Sequence, residues 1–294
     1  MFLRYLDFKL LCQQLQLGTL LFAPRLLSGG SLNQNFYIQT DRGRFLLKQG
    51  HPLRRVENQL WQYRSWIEGE VLSPHQITFS QMGALGRLLA DQHVHAVTSN
   101  LFLAQPSFIV LQWQRYLQLL ARHGFPDLTL LYQHDPWVLN TLEQVQIHWR
   151  DIQLQNCVCH RDIFPSNVIW QAVDMPILID WEWQGPLPLL AELIGVVVNW
   201  CVLNKQFDTE RANFLLDAYY RSMPMTNQKE CQLAYLSLSY FWLQWVEFNI
   251  QRYLYQSHFL LDEAKIAAKE IISTLATLNW LNRSNFLLEF KRIL

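Results

Sequence analysis

The segments that decide the fold read CHRDIFPSNVIW at residues 159–170 and PILIDWE at residues 176–182. Both are short apolar runs flanked by Pro and Asp, set in a stretch whose pattern is otherwise helical. They predict two buried strands that form a β-hairpin. The loop between Asp162 and Asn167 can turn both side chains toward one cleft, and the returning strand would bring Asp180 beside them.

These residue types suit phosphoryl transfer. One carboxylate, Asp162, can orient and deprotonate an acceptor hydroxyl, while the oxygens of Asn167 and Asp180 can hold a magnesium ion that bridges nucleotide phosphates. Asp, Pro, Ser and Asn are also common in ordinary turns. The apolar flanks argue against a simple turn, because a buried Asp without a partner would be costly there.

Composition limits the class of protein. The chain has 294 residues and a mass of 34.9 kDa. Half of the residues are apolar and 16% are charged, which excludes a disordered chain. Lys plus Arg and Asp plus Glu number 24 each, so no long-range field attracts nucleic acid or an anionic membrane. No obligate protein partner is predicted.

The cysteines and the apolar segments predict a cytoplasmic location. Five cysteines, with no C-x-x-C pair, fit reduced thiols better than disulfides or a zinc site. Arg4, Asp7 and Lys9 break the apolar core that a signal peptide needs. The most apolar stretch, residues 187–203, contains Glu192 and falls short of a membrane-spanning helix.

The remaining sequence predicts an α+β fold with two lobes. We expect a small β-rich N-terminal lobe at residues 1–72 and a large, mainly helical C-terminal lobe at residues 73–294 that carries the hairpin. The smaller predicted elements are a helix at 5–17, strands at 26–27, 36–40 and 44–48, a helix at 54–63 and a helix at 81–93.

A glycine-rich turn lies between the first two predicted strands, where residues 27–36 read LSGGSLNQNF. Glycines let backbone N–H groups approach phosphates that a Cβ atom would hold off. Gly29, Gly30, Ser31 and Asn33 are therefore candidate nucleotide-binding residues. An ordinary hairpin turn explains the same letters equally well.

The pattern H-x-D-x-x-x-x-N followed by I-D-W-E resembles the aminoglycoside phosphotransferase and choline kinase superfamily, which is related to the protein kinases. Residues 179–185, IDWEWQG, with AEL at 191–193, are most similar to bacterial thiamine kinases and choline kinases. The resemblance implies a protein-kinase-like fold that uses ATP and Mg²⁺. It also implies Asp162 as catalytic base, His160 as a brace for the loop, and Asn167 and Asp180 as magnesium ligands.

The resemblance extends to the N-terminal lobe with one departure. Lys48 ends the third predicted strand, where kinase-like folds place the lysine that reaches the nucleotide phosphates, and Glu57 is its candidate partner. Residues 66–71 resemble the hinge segment that joins the two lobes in these relatives. The relatives normally insert two further strands before this hinge. Only residues 49–65 are available here, so we expect an N-terminal lobe shortened by a strand or two.

Aromatic residues of the helical lobe are candidates for contact with the acceptor. Phe241, Trp245, Phe248 and Arg252 share one helical face, a pattern usual for a core. Indole faces also attract cationic and aromatic rings. The candidate substrate-binding residues are Trp181, Glu182, Trp242 and Trp245.

The favoured function is an ATP-dependent kinase that phosphorylates a primary alcohol, with thiamine as the first acceptor. Choline, ethanolamine and homoserine are alternative acceptors for the same fold. A kinase-like binding protein without catalytic activity is the alternative that the shortened N-terminal lobe suggests.

Overall fold

A computed structural model describes residues 5–27, 34–49, 61–96, 106–223, 228–254 and 261–293. The chain divides into two compact units, residues 1–68 and 69–294. The sequence prediction had placed the boundary after residue 72.

The first unit is an antiparallel sheet with one helix. Its elements are α1 (Tyr5–Gln14), β1 (Arg25–Leu26), β2 (Gln34–Thr40), β3 (Gly43–Gln49) and β4 (Trp61–Ser65), with the strands in sequence order across the sheet. Asp41 and Arg42 form the tight turn between β2 and β3, and Gly43 closes it at φ +145°. The predicted opening helix and the three predicted strands are confirmed.

The predicted helix at 54–63 is wrong for its last three residues. Residues 61–63 belong to β4, which pairs with β3 so that Trp61 lies opposite Gln49 and Tyr63 opposite Leu47. The aromatic side chains at 61 and 63 alternate with polar ones, and this two-residue period favours a strand. The sheet therefore has one strand more than predicted. Glu57 lies outside the described residues, as do Gly29, Gly30, Ser31 and Asn33.

Helix α1 covers the sheet of the first unit. Its Phe8 ring packs edge-on against Phe36, with 4.9 Å between ring centroids, and against Trp61 at 6.1 Å. The buried core of this unit consists of Phe8, Cys12, Leu17, Leu20, Ile38 and Leu47. Burial of these side chains holds the helix to the sheet.

The second unit is mainly helical. Its helices are α2 (Phe79–Val94), α3 (Val110–Arg122), α4 (Leu128–Ile147), α5 (Trp149–Leu154), α6 (Leu189–Cys201), α7 (Thr209–Tyr220), α8 (Gln228–Leu254), α9 (Leu261–Arg283) and α10 (Phe286–Ile293). The predicted helix at 81–93 is confirmed within α2. Thr78 caps it, since its hydroxyl accepts a hydrogen bond from the Gln81 N–H.

Three short antiparallel pairs of strands complete the second unit. Strand β5 (Asn156–Cys159) pairs with β8 (Gly185–Pro188), β6 (Val168–Ala172) with β7 (Met175–Leu178), and β9 (Val202–Leu203) with β10 (Gln206–Phe207). The β6–β7 pair is the predicted hairpin. The chain enters this unit at Gly69, at φ +142°, where a Cβ would lie 2.6 Å from the Trp170 carbonyl oxygen. Glu70 then exchanges two backbone hydrogen bonds with Trp170.

The apolar stretch around Glu192 forms α6 in the core of the second unit. Most of its residues are buried, which explains their composition without a lipid environment. Within the described ranges, no helix is both long enough and apolar enough to cross a bilayer. All five cysteines, which lie in the described ranges, are free thiols.

Candidate active site

The candidate active site is built on the loop that joins β5 to β6. The Phe164 N–H donates to the Asp162 carbonyl at 3.0 Å, and the Asn167 N–H donates to the Phe164 carbonyl at 2.9 Å. Pro165 begins the short 3-10 turn that ends at Asn167. These local bonds fold the six residues from Asp162 to Asn167 into a compact turn.

Asn167 holds Asp162 directly. Its Nδ2 donates to the Asp162 carbonyl oxygen and to Asp162 Oδ2, each at 2.9 Å. Both amide protons are thereby directed toward Asp162, so Oδ1 is the atom of this amide that can serve as an oxygen ligand. The loop thus brings together Asp162 and Asn167, as the spacing predicted.

His160 connects this loop to the end of β7. Its Nε2 lies 3.0 Å from the Ile179 carbonyl oxygen, and its Nδ1 lies 3.2 Å from the Asp162 backbone nitrogen. A neutral ring that carries its proton on Nε2 satisfies both contacts, because Nδ1 then accepts from the Asp162 N–H. Burial lowers the pKa of His160, which favours this neutral form. His160 is 1% exposed and contacts Asp162 through backbone, as a brace would.

Asp180 follows directly after that connection. The Ile179 N–H donates to the Asn167 carbonyl at 3.0 Å, so the residue before Asp180 is bonded to both His160 and Asn167. Asp180 adopts left-handed backbone, φ 65° and ψ 55°, a conformation uncommon outside glycine. Burial lowers the pKa of His160, and the Ile179 carbonyl and the charges of Glu192 and Asp180 oppose that effect.

The donor set fits a magnesium ion. Carboxylate and amide oxygens are hard ligands of the kind that Mg²⁺ takes, usually with waters and substrate phosphates completing its shell. Asn167 Oδ1 and the Asp180 carboxylate supply two such ligands from adjoining strand ends. Strained backbone at Asp180 is typical of functional positions, where the surrounding hydrogen bonds maintain it.

A buried hydrogen-bond network contacts the loop at the Arg161 backbone. Glu192, 4% exposed, accepts a hydrogen bond from the Arg161 backbone N–H through Oε1 and contacts His93 Nε2 at 2.9 Å through Oε2. His93 Nδ1 in turn lies 2.7 Å from the Tyr219 hydroxyl. Sequence reasoning noted Glu192 only in the AEL motif and as an interruption of an apolar run. A buried acid inside such a run was the available signal.

The same network includes a thiol. Ligand atoms of His93, Cys159 and Glu192 lie within 4.8 Å of one another, a spacing that a metal ion could use. However, the Cys159 thiol donates to the Leu187 carbonyl at 3.2 Å, and burial raises its pKa well above the usual value. Because all three groups are engaged in hydrogen bonds, we assign the cluster a supporting role.

Arg161 extends away from the loop toward α8. Its Nε donates to the Trp183 carbonyl oxygen at 2.5 Å, and its guanidinium carbon lies 5.1 Å from the centre of the Phe241 ring. Gly185 leaves room for this side chain, since a Cβ there would lie 2.6 Å from Arg161 Nη2. Arg161 was part of the predicted motif but was given no role.

The aromatic candidates occupy different environments. Trp181 packs edge-on against His160, with 4.5 Å between ring centroids. Trp245 stacks on Phe248 at 5.5 Å and meets the edge of Trp183 at 5.2 Å. Trp242 is buried among helices of the core, one turn from that group. Trp183, which sequence reasoning did not select, joins the predicted Trp245 in an aromatic cluster.

Glu182, Arg252 and Lys48 have the following surroundings. Glu182 is half-buried in the short 3-10 turn after Asp180. Arg252, on the same helical face as Trp245, is buried and pairs with Glu263 at 2.6 Å. Lys48 lies in β3 of the first unit, opposite Asn35 and Gln62. Its role in nucleotide binding stays a prediction.

The fold and the loop together define the class: a protein-kinase-like chain with a small antiparallel sheet and a larger helical unit that carries the H-x-D-x-x-x-x-N loop. The model of the Phosphotransferase enzyme family matches residues 55–224, more than half of the chain. The chain belongs to this family, and the resemblance to the aminoglycoside phosphotransferase and choline kinase superfamily is confirmed.

Two curated relatives are homoserine kinases. That of Janthinobacterium sp. (strain Marseille) is 28% identical over 147 residues, and the match spans 49% of this chain but only 44% of the relative. That of Methylobacillus flagellatus is 25% identical over 231 residues, which is 69% of this chain and 72% of the relative.

A solved structure with a similar fold is the choline kinase LicA from Streptococcus pneumoniae. The two chains superpose with a TM-score of 0.60 at 16% identity, and the match covers 91% of this chain and 98% of LicA. Similarity at this level of identity supports the fold and leaves the acceptor open.

Proposed function

We propose that the chain is an ATP-dependent kinase that transfers the γ-phosphoryl group to the alcohol of a small molecule. The observation that carries this proposal is the hydrogen-bonded unit of Asp162, Asn167 and the residue before Asp180. It holds the candidate base and one candidate metal ligand on the turn at residues 162–167, and a backbone hydrogen bond joins that turn to the residue before the second candidate ligand, Asp180.

In this proposal Asp162 orients the acceptor hydroxyl and accepts its proton. The Asn167 amide holds Asp162 Oδ2 at 2.9 Å and so fixes the orientation of this carboxylate. Catalysis would depend on positioning and charge, as is general for phosphoryl transfer.

Asn167 and Asp180 would hold the magnesium ion, which neutralises charge on the phosphates when bound. His160 links the Asp162 backbone to the Ile179 carbonyl and would not touch the reacting atoms. We therefore regard it as a positioning residue. Lys48 and the residues around Gly29 and Gly30 are proposed contacts of the nucleotide phosphates.

We propose an amino-acid alcohol of the homoserine type as the first acceptor. The curated relatives support this choice, since both are described as homoserine kinases. Thiamine is the second acceptor, as the sequence motif after Asp180 implies. The aromatic cluster of Trp183, Trp245 and Phe248 favours thiamine, because such rings bind cationic and flat groups.

A transfer screen tests the proposal. The protein is incubated with γ-labelled ATP, Mg²⁺ and L-homoserine, thiamine, choline, ethanolamine or kanamycin, and labelled products are separated. Transfer to homoserine above the others is expected. Transfer to thiamine instead would support the proposed kinase activity and identify thiamine as the acceptor. The alternative of a binding protein without catalytic activity predicts no label in any acceptor and no effect of Mg-ATP on thermal stability.

A further inference from the structure

A cavity of about 150 Å³ lies in the second unit between the β5–β8 pair and α8. Its polar wall includes Asn156, Trp149, Arg161, Tyr240 and Gln244. An apolar cavity of about this volume admits benzene, so the space suits a molecule of roughly six to eight non-hydrogen atoms. Neither the predicted site residues nor the proposed mechanism accounts for it.

Three buried polar atoms of this wall have no hydrogen-bond partner among the described residues. Asn156 is 2% exposed, and neither its Nδ2 nor its Oδ1 has a hydrogen-bond partner among the residues that the structure describes. The indole Nε1 of Trp149 also has no hydrogen-bond partner among the described residues. Leaving a buried polar group without a partner is costly, so these three atoms are expected to meet a ligand or water.

The charge of the wall selects the kind of ligand. Among the described residues that line the cavity, Arg161 is the only one with a charged side chain. Its guanidinium is held in place by the Trp183 carbonyl and the Phe241 ring. Burial raises the pKa of Tyr240 to about 12, so its hydroxyl stays protonated. Together these groups offer a positive charge and several N–H or O–H donors.

We propose that this cavity binds the carboxylate end of the acceptor, a small amino or hydroxy acid that also carries an alcohol. Arg161 and the donors of Asn156 and Trp149 would receive the carboxylate, and Asn156 Oδ1 would accept from an ammonium or hydroxyl group. L-Homoserine falls within the size limit. Arg161 lines this cavity and its backbone continues into the loop at Asp162, so the proposal places the hydroxyl of the occupant at the loop end of the cavity. The assignment of the occupant as acceptor rests on the proposed function.

Direct binding tests the site without relying on catalysis. Isothermal titration calorimetry without nucleotide is performed with L-homoserine, with L-2-aminobutyrate, which lacks the hydroxyl, and with 2-amino-1,4-butanediol, which lacks the carboxylate. The unaltered protein should bind both carboxylates and should bind the diol at least about tenfold more weakly, because the charge-assisted hydrogen bonds are lost.

Three variants locate the binding to this cavity. Asn156→Leu keeps the side-chain volume and removes both unpaired polar atoms, and Trp149→Phe removes the indole N–H. Each should weaken carboxylate binding at least about tenfold. Gln155→Leu is the matched control, because Gln155 is adjacent in sequence but does not line the cavity. It should bind as the unaltered protein does. Trp149→Phe keeps the test decisive if Asn156→Leu fails to fold.

The outcomes separate this proposal from the proposed function. Carboxylate binding that both variants lose, without phosphoryl transfer, would support the site and refute the kinase assignment. Transfer to thiamine or choline without carboxylate binding would support the kinase and overturn the site. No carboxylate binding together with a more stable Asn156→Leu variant would identify a water-filled cavity and also overturn it.

Discussion

Replacement of His160 by alanine tests the connection between the loop and Asp180. The substitution removes the partners of the Asp162 N–H and the Ile179 carbonyl, at 3.2 and 3.0 Å. A buried group left without a partner costs about 1–3 kcal/mol, which gives about 2–6 kcal/mol for two groups. Water that enters the vacated space would satisfy one of them, so we expect a loss of about 1–3 kcal/mol in the free energy of unfolding.

Urea denaturation followed by tryptophan fluorescence measures this loss. His123→Ala is the control, because His123 is exposed and its ring contacts only the Leu119 carbonyl of its own helix. The control should change the free energy of unfolding by less than about 0.5 kcal/mol. A His160→Ala variant as stable as the control would refute the claim that the imidazole holds the two strand ends together.

Two further predictions concern pH and packing. His134 is buried with both ring nitrogens unpaired among the described residues, and burial lowers its pKa. Below about pH 6.5 the unfolded chain therefore binds more protons than the folded chain. The free energy of unfolding should fall as the pH falls from there. His134→Phe should flatten this slope in urea titrations between about pH 7 and 5, and an unchanged slope would contradict the assignment. Gly185→Ala places a Cβ 2.6 Å from Arg161 Nη2, so it should displace the guanidinium and destabilise the protein by about 1–3 kcal/mol in the same assay. Unaltered stability would show that Gly185 is not needed to seat Arg161.

The candidate catalytic loop was predictable because its residues are close in sequence. Asp162 and Asn167 are five residues apart, and the apolar runs on either side fixed the hairpin that brings Asp180 close. The same reasoning located β2, β3 and α2, whose hydrophobic periods extend over at least two turns or several alternations.

The supporting residues were not predictable, because their partners are distant in sequence. Glu192 reaches His93 and Arg161 across 99 and 31 residues, and no local pattern encodes such contacts. The Asn156 cavity is lined by residues of α5, β5, β8 and α8, and α8 is far from the others in sequence. Strand β4, Trp61–Ser65, was missed because it is only five residues long. A run that short can match helical as well as strand periodicity.

The most direct test of the central claim is the transfer rate of Asp162→Asn with the best acceptor from the screen. Asp174→Asn is the matched control, because Asp174 is exposed in the turn between β6 and β7. We expect Asp162→Asn to fold normally and to lower kcat by about 10²- to 10⁴-fold, as loss of a general base does, while Asp174→Asn retains normal turnover. An Asp162→Asn enzyme within about threefold of the unaltered rate would contradict the role of this loop in catalysis.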